Sequence, residues 1–266
     1  MRRIAVGATL AVCFVTASML VAFGTSTEPE TVSAKTALAD SAGLPAAPAL
    51  GLRIPRPSLL KNSASLARWS PVLKPVTART KPSTEAAAVA QLSTLTPEGT
   101  SNLVVVLERA TDESGELWVR VQLPVLPANT TGWVPRRTLG GYTLVRTRLL
   151  VELERFTATL FSNGQPIFKA PVGVGKPEWP TPTGEFYVRD KLASYASPFY
   201  GPIAFGTSAR SAVLTDWPAG GFIGIHGTSQ PELLPGRVSH GCIRMRNADI
   251  LRLARLMPVG TPLTIV

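Results

Sequence analysis

From about Leu66 onward, apolar and polar residues alternate in short runs broken by Gly, Pro, Asn and Asp. That is the pattern of half-buried β-strands. Val104-Val105-Val106-Leu107 is an apolar run, Leu117 to Leu123 alternates, and a turn at Pro127-Ala128-Asn129-Thr130 precedes Gly132-Trp133-Val134-Pro135. These runs predict a small all-β body over residues 66–140. A second β-rich body is predicted over 142–266. Arg148 to Leu153 leads to Thr157-Ala158-Thr159-Leu160-Phe161, Asn163-Gly164 is a strong hairpin turn, and Ile167-Phe168-Lys169-Ala170 continues the meander. One helix is predicted near the C-terminus. Asn247 would cap it, Asp249 suits its first turn, and Ile250, Leu251, Ala254 and Leu256 populate one face before Pro258 ends it. Gly260-Thr261 then turns into a last strand, Leu263 to Val266.

The N-terminal part departs from this pattern. Behind Arg2 and Arg3, residues 4–23 carry no charge, a length that crosses a hydrocarbon core of about 30 Å as a helix. The arginines favour a cytoplasmic start, so residues 1–23 predict a signal anchor, with the rest of the chain outside. Cleavage near Ala37-Leu38-Ala39 is the rival, but that site lies well beyond the end of the apolar run. Cys13 sits within the run behind Val12, a poor context for lipidation. Residues 24–65 are rich in Ala, Pro, Ser and Thr and predict a linker. If flexible, it reaches about 35 Å from the membrane.

Composition changes the picture in two ways. Lys and Arg number 27 against 17 Asp and Glu, a net charge of +10. That suits a surface of scattered arginines, or attraction to a polyanionic cell wall or membrane. Zinc-finger spacing, aromatic RNA-binding motifs and basic helices are absent from the sequence, which argues against nucleic acid as a partner. Outside residues 4–23 there is one cysteine, Cys242, so that part can form no internal disulfide. An unpaired thiol in an oxidising compartment is a liability unless its reactivity is used.

The chemistry concentrates in seventeen residues. Both histidines of the chain, His226 and His240, lie with Cys242 in that interval. Thiol and imidazole are the side chains best suited to nucleophilic catalysis near neutral pH. Phe222-Ile223-Gly224-Ile225-His226 reads as a strand with Ile223 and Ile225 on one face and Phe222, Gly224 and His226 on the other. Gly224 leaves room for a substrate backbone beside His226. Ser239-His240-Gly241-Cys242 reads as a tight bend that presents a thiol, with the Gly241 N–H among the oxyanion donors. Cys242 is the candidate nucleophile, its pKa lowered by pairing with an imidazole. His226 is the candidate base and acid, its second ring nitrogen held by a backbone carbonyl near Gly227, with Asp216 an outside alternative. His240 is read as a supporting residue. A zinc site is the competing reading, but one Cys and two His supply only three ligands.

These residues resemble the L,D-transpeptidases, the YkuD-type catalytic domains. His226 and Ser239-His240-Gly241-Cys242-Ile243-Arg244 match that family's motif of an early His followed by Ser/Thr-x-Gly-Cys and a polar residue two positions on. Thr181-Pro182-Thr183-Gly184-Glu185-Phe186, Tyr200-Gly201-Pro202-Ile203-Ala204-Phe205 and Val259-Gly260-Thr261-Pro262 extend the likeness over about 145–266. Residues 66–140 are similar to bacterial SH3-like domains. The fold class implied is mainly β: a small SH3-like β-barrel, then a β-sandwich-like catalytic domain with one short helix.

The resemblance implies an extracytoplasmic enzyme that needs no metal or cofactor and acts on peptidoglycan stem peptides. Cys242 would attack the third-residue carbonyl of a tetrapeptide stem and expel D-Ala, and an amine of a second stem would form a 3-3 crosslink. Arg244, Ser239, Gly227 and Tyr200 are the substrate-binding candidates; Ser239 is also read as hydrogen-bonding the loop backbone, and Arg244 either holds a carboxylate or bonds loop carbonyls. Thr181 to Gly184 either lines the pocket or forms a rigid turn, and Tyr200 and Trp217 shape the lid or the core. The alternatives are an L,D-carboxypeptidase or cysteine peptidase with water as acceptor, and a catalytically silent wall-binding protein.

Overall fold

The computed structural model of the chain describes residues 66–193, 198–214 and 221–266. The apolar run at residues 4–23, the linker that follows, Asp216 and Trp217 lie outside the described residues. Among those described, no helix is long and apolar enough to cross a membrane.

The strand-period residues of the first part fold into β1 (Ala67–Pro71), β2 (Val76–Arg79), β3 (Ala88–Leu92), β4 (Leu103–Thr111), β5 (Leu117–Gln122), β6 (Thr131–Pro135) and β7 (Thr143–Val145). They make a seven-stranded antiparallel sheet in the order β3-β2-β6-β5-β4-β1-β7. Val104, Val106, Val119, Val121 and Val134 are fully buried in its core. β-Branched side chains favour such a pleated, packed surface.

The second part supplies β8 (Thr147–Glu152), β9 (Thr157–Ser162), β10 (Gln165–Pro171), β11 (Gly173–Gly175), β12 (Gly184–Ala193), β13 (Ile203–Arg210), β14 (Phe222–His226), β15 (Gly236–Ser239), β16 (Ile243–Arg244), one helix α1 (Asn247–Leu256) and β17 (Pro262–Ile265). The ten strands form one sheet, ordered β10-β9-β8-β17-β12-β13-β14-β16-β11-β15. Asn163 and Gly164 join β9 to β10 with φ of 49° and 81°. Positive φ at both central residues is what a two-residue hairpin turn requires. The core gathers Leu149, Leu160, Phe205, Ile225, Ile243, Leu263 and Ile265 with Ile250 and Leu253 of the helix.

Two details of the helix differ from the sequence reading. Leu251 is exposed, and the buried residues are Ile250, Leu253 and Ala254. The i, i+3, i+4 spacing selects that face. Asn247 is the first helical residue and makes no capping hydrogen bond, because Arg246 occupies the N-cap position. Its side chain serves another loop.

The two sheets belong to one compact unit. The buried Tyr187 hydroxyl donates to the Leu103 carbonyl at 3.2 Å. The buried Arg189 pairs with Glu98 at 2.6 Å, and its guanidinium lies 3.8 Å from the centre of the Phe222 ring. These contacts tie the first part of the chain to β12 and, through Phe222, to β14.

Candidate active site

His226 is delivered by the last position of β14, and Cys242 by the bend between β15 and β16. Parallel pairing of β14 with β16 sets Ile225 beside Ile243 and His226 beside Arg244. A backbone hydrogen bond from Met245 N–H to the His226 carbonyl, 2.8 Å long, continues that register. A Cβ placed on Gly224 would lie 3.7 Å from His226 Cδ2 and 3.8 Å from Cys242 Sγ. Gly224 therefore lies beside both the thiol and the imidazole, within van der Waals reach of each.

Both groups line a cleft of about 310 Å³, together with Phe199, Tyr200, Ser211, Phe222, His240 and Arg244. His226 is 3 % exposed. Its Nδ1 lies 2.6 Å from the Gly227 carbonyl. A carbonyl oxygen only accepts, so Nδ1 carries the proton and Nε2 keeps its lone pair. Tyr200 packs edge-on against the ring at 4.7 Å.

The electrostatics of the cleft differ from the sequence expectation of an ionised thiol. Burial pushes the Cys242 thiol up, and the weaker pulls of the Gly224 N–H, 3.4 Å from sulfur, and of Arg244 do not reverse it. Burial also lowers His226 to about 4, against the raising effect of the Gly227 carbonyl and with help from Arg244. At neutral pH both members of the resting pair are uncharged. Charge separation must then accompany attack rather than precede it.

The bend itself is held from behind. Gly241 has φ of +110°, a conformation that side chains disfavour. Its N–H donates to Ser239 Oγ at 3.1 Å, and Ser239 Oγ donates to the Cys242 carbonyl at 2.6 Å. This changes one reading. The Gly241 N–H is occupied inside the bend and does not face the cleft as an oxyanion donor. Ser239 is fully buried and hydrogen-bonds the loop backbone, as the sequence reading had it.

Gly227 is likewise buried and acts through its carbonyl on His226. Arg244 and Tyr200 do line the cleft, and the buried Arg244 Nε has no partner among the described residues. His240 sits exposed at the rim, its ring 4.1 Å from that of Trp179.

Residues 146–265 match the family model of the L,D-transpeptidase catalytic domain, YkuD. Over this segment the chain is similar to L,D-transpeptidase catalytic domains. Bacillus subtilis YkuD, which bears an L,D-transpeptidase name, is 36% identical over 117 residues, covering 44% of this chain and 64% of the relative. Bacillus subtilis YqjB, named in the same way, is 37% identical over 99 residues, covering 34% of this chain and 54% of the relative. The chain thus spans less than two thirds of each. The catalytic domain of an Enterococcus faecium L,D-transpeptidase shares 26% identity, with 45% of this chain and 96% of that one covered and a TM-score of 0.35. The assignment rests on the sequence match. That match begins after the first sheet, whose SH3-like character stands on its sequence resemblance alone.

Within this domain, Thr181 is a residue whose role the sequence left open between pocket wall and rigid turn. It is 4 % exposed and absent from the cleft lining. Its hydroxyl accepts the Gly175 N–H at 2.8 Å and donates to the Gly241 carbonyl at 2.7 Å. Thr181→Val leaves both buried backbone groups without that partner, a cost of about 1–3 kcal/mol each. Denaturant unfolding should show that loss, and Thr181→Ser should recover most of it.

The depressed His226 also predicts a pH dependence of stability. Between pH 6.5 and about 4 the unfolded chain takes up a proton at His226 that the folded domain refuses. Stability therefore falls as the pH drops through that window, by up to about 3 kcal/mol from this group. Above 6.5 the group contributes nothing to the dependence. Unfolding free energies of wild type and His226→Gln, compared from pH 7 to 4, should converge or cross as the pH falls.

Proposed function

We propose that this chain is a cysteine-dependent peptidoglycan L,D-transpeptidase that works outside the cytoplasm and joins two stem peptides through a 3-3 crosslink. The observation that carries the reading is the meeting of Cys242 Sγ and His226 at Gly224 on the wall of one cleft.

The resting pair is neutral, so the donor stem must bind first. As Sγ attacks the third-residue carbonyl, its proton passes to His226 Nε2, and the new imidazolium is held by the Gly227 carbonyl through Nδ1–H. With the Gly241 N–H committed to Ser239, the oxyanion donor we assign is the N–H of Cys242 itself. Collapse of the tetrahedral intermediate breaks the bond to D-Ala, whose amine leaves with the proton from His226. A thioester on Cys242 remains. The amine of a second stem attacks it, loses its proton to Nε2, and departs as an amide while the thiol is restored. Arg244 lines the cleft, and its planar guanidinium fork suits a carboxylate of the third residue.

Stem transfer is tested by incubating the full chain with a tetrapeptide stem, with and without a second amine-bearing stem. The expected result is D-Ala release with a crosslinked dimer when the acceptor is present. D-Ala without dimer would select the carboxypeptidase reading. No D-Ala at all would leave a wall-binding body without this chemistry.

A further inference from the structure

The side chain of Asn247, displaced from its expected capping role, ends at the loop that holds the imidazole. Asn247 Oδ1 accepts the Thr228 N–H at 3.0 Å. That N–H and the Gly227 carbonyl are the two ends of one peptide plane. The opposite end of the same plane receives His226 Nδ1 at 2.6 Å. One rigid unit thus links the two side chains in a line: Nδ1–H to carbonyl, peptide, N–H to Oδ1. The surroundings are built around that oxygen. A Cβ on Gly201 or on Gly227 would collide with Asn247 Oδ1. Gly201, at φ +66°, follows Tyr200, whose ring packs on His226.

We propose that Asn247 is a positioning residue that acts on His226 through the Gly227–Thr228 peptide, an inference that rests on His226 as the base of the proposed transpeptidation. With Oδ1 in place the peptide cannot rotate, so Nδ1 stays the protonated nitrogen and Nε2 stays available to the thiol. Polarisation along the aligned hydrogen bonds strengthens the hold on the imidazolium as it forms. This is the orienting role that a third group plays for a catalytic histidine, performed at one peptide's remove.

The test uses the full chain, whose two histidines give only two imidazoles to follow by ¹⁵N NMR. Asn247→Ala removes the acceptor. Asn247→Asp keeps it, adds a negative charge, and suits the first turn of a helix, where acidic groups are favoured. Asn247 is surface-exposed, so the aspartate stays ionised. In wild type, His226 should show protonated Nδ1. Asn247→Ala should mix the two tautomers, and Asn247→Asp should preserve Nδ1–H and move the His226 titration upward.

Acylation of Cys242 by the tetrapeptide stem should slow about 10- to 100-fold in Asn247→Ala, by analogy with the loss when the outer partner of a metal-bound imidazole is removed. It should stay near wild type in Asn247→Asp, with its acid limb shifted upward. An unchanged His226 tautomer and titration in both variants would overturn the proposal. If the NMR shifts occur while Cys242 is never acylated even in wild type, the positioning role holds and the transpeptidase reading fails.

Discussion

Cys242→Ala should release no D-Ala and form no dimer, a loss of about 10⁴-fold or more relative to wild type. The size follows from the place of the sulfur in the cleft. It is the free cysteine of the described residues, it lines the cleft wall, and like the imidazole it lies beside Gly224. Without it no covalent intermediate can form. The fold should survive, because alanine removes one half-buried atom and leaves the Ser239 and Thr181 hydrogen bonds around the bend intact. Steady-state D-Ala release, paired with a thermal melt, separates lost chemistry from lost structure.

His226→Gln should slow acylation by about 10²–10⁴-fold. Glutamine retains a donor for the Gly227 carbonyl but accepts no proton at catalytic pH. The thiol, already pushed up by burial, then has no base at hand. Combining the two substitutions should be no worse than Cys242→Ala alone, since groups that act as a unit do not add. In wild type the acid limb of acylation should lie well below pH 6.5, because the buried imidazole stays neutral down to about 4. A pH profile of single-turnover acylation checks this.

The two largest effects fall on residues that sequence spacing singled out, and the reason is local. A histidine ending a strand and a cysteine on a glycine bend lie within seventeen residues, and parallel pairing of two short strands is enough to join them. The Asn163-Gly164 hairpin was readable for the same reason, since positive φ is a property of those two residues themselves.

What could not be read depends on distant partners. Thr181 meets Gly241 across 60 residues of sequence. Asn247 looked like a cap because Asn at a helix start usually is one, and only the close approach of Gly201 and Gly227 diverts its oxygen to Thr228. The neutral resting dyad was hidden because motif chemistry suggests an ion pair, whereas burial dominates both groups. The Gly241 N–H looked free because nothing in the order Ser-His-Gly-Cys reveals which loop N–H the serine hydroxyl takes. Leu251 was misplaced by a count of apolar residues that ignored which three the sheet would cover.

The central claim is that one sulfur carries the acyl group. The direct measurement is the intact mass of the full chain, quenched in acid after mixing with a tetrapeptide stem and no acceptor, followed by peptide mapping. A mass gain equal to the stem less D-Ala, located on Cys242 and missing from Cys242→Ala, is the predicted result. An unmodified Cys242 during active D-Ala release, or the same adduct in Cys242→Ala, would contradict it.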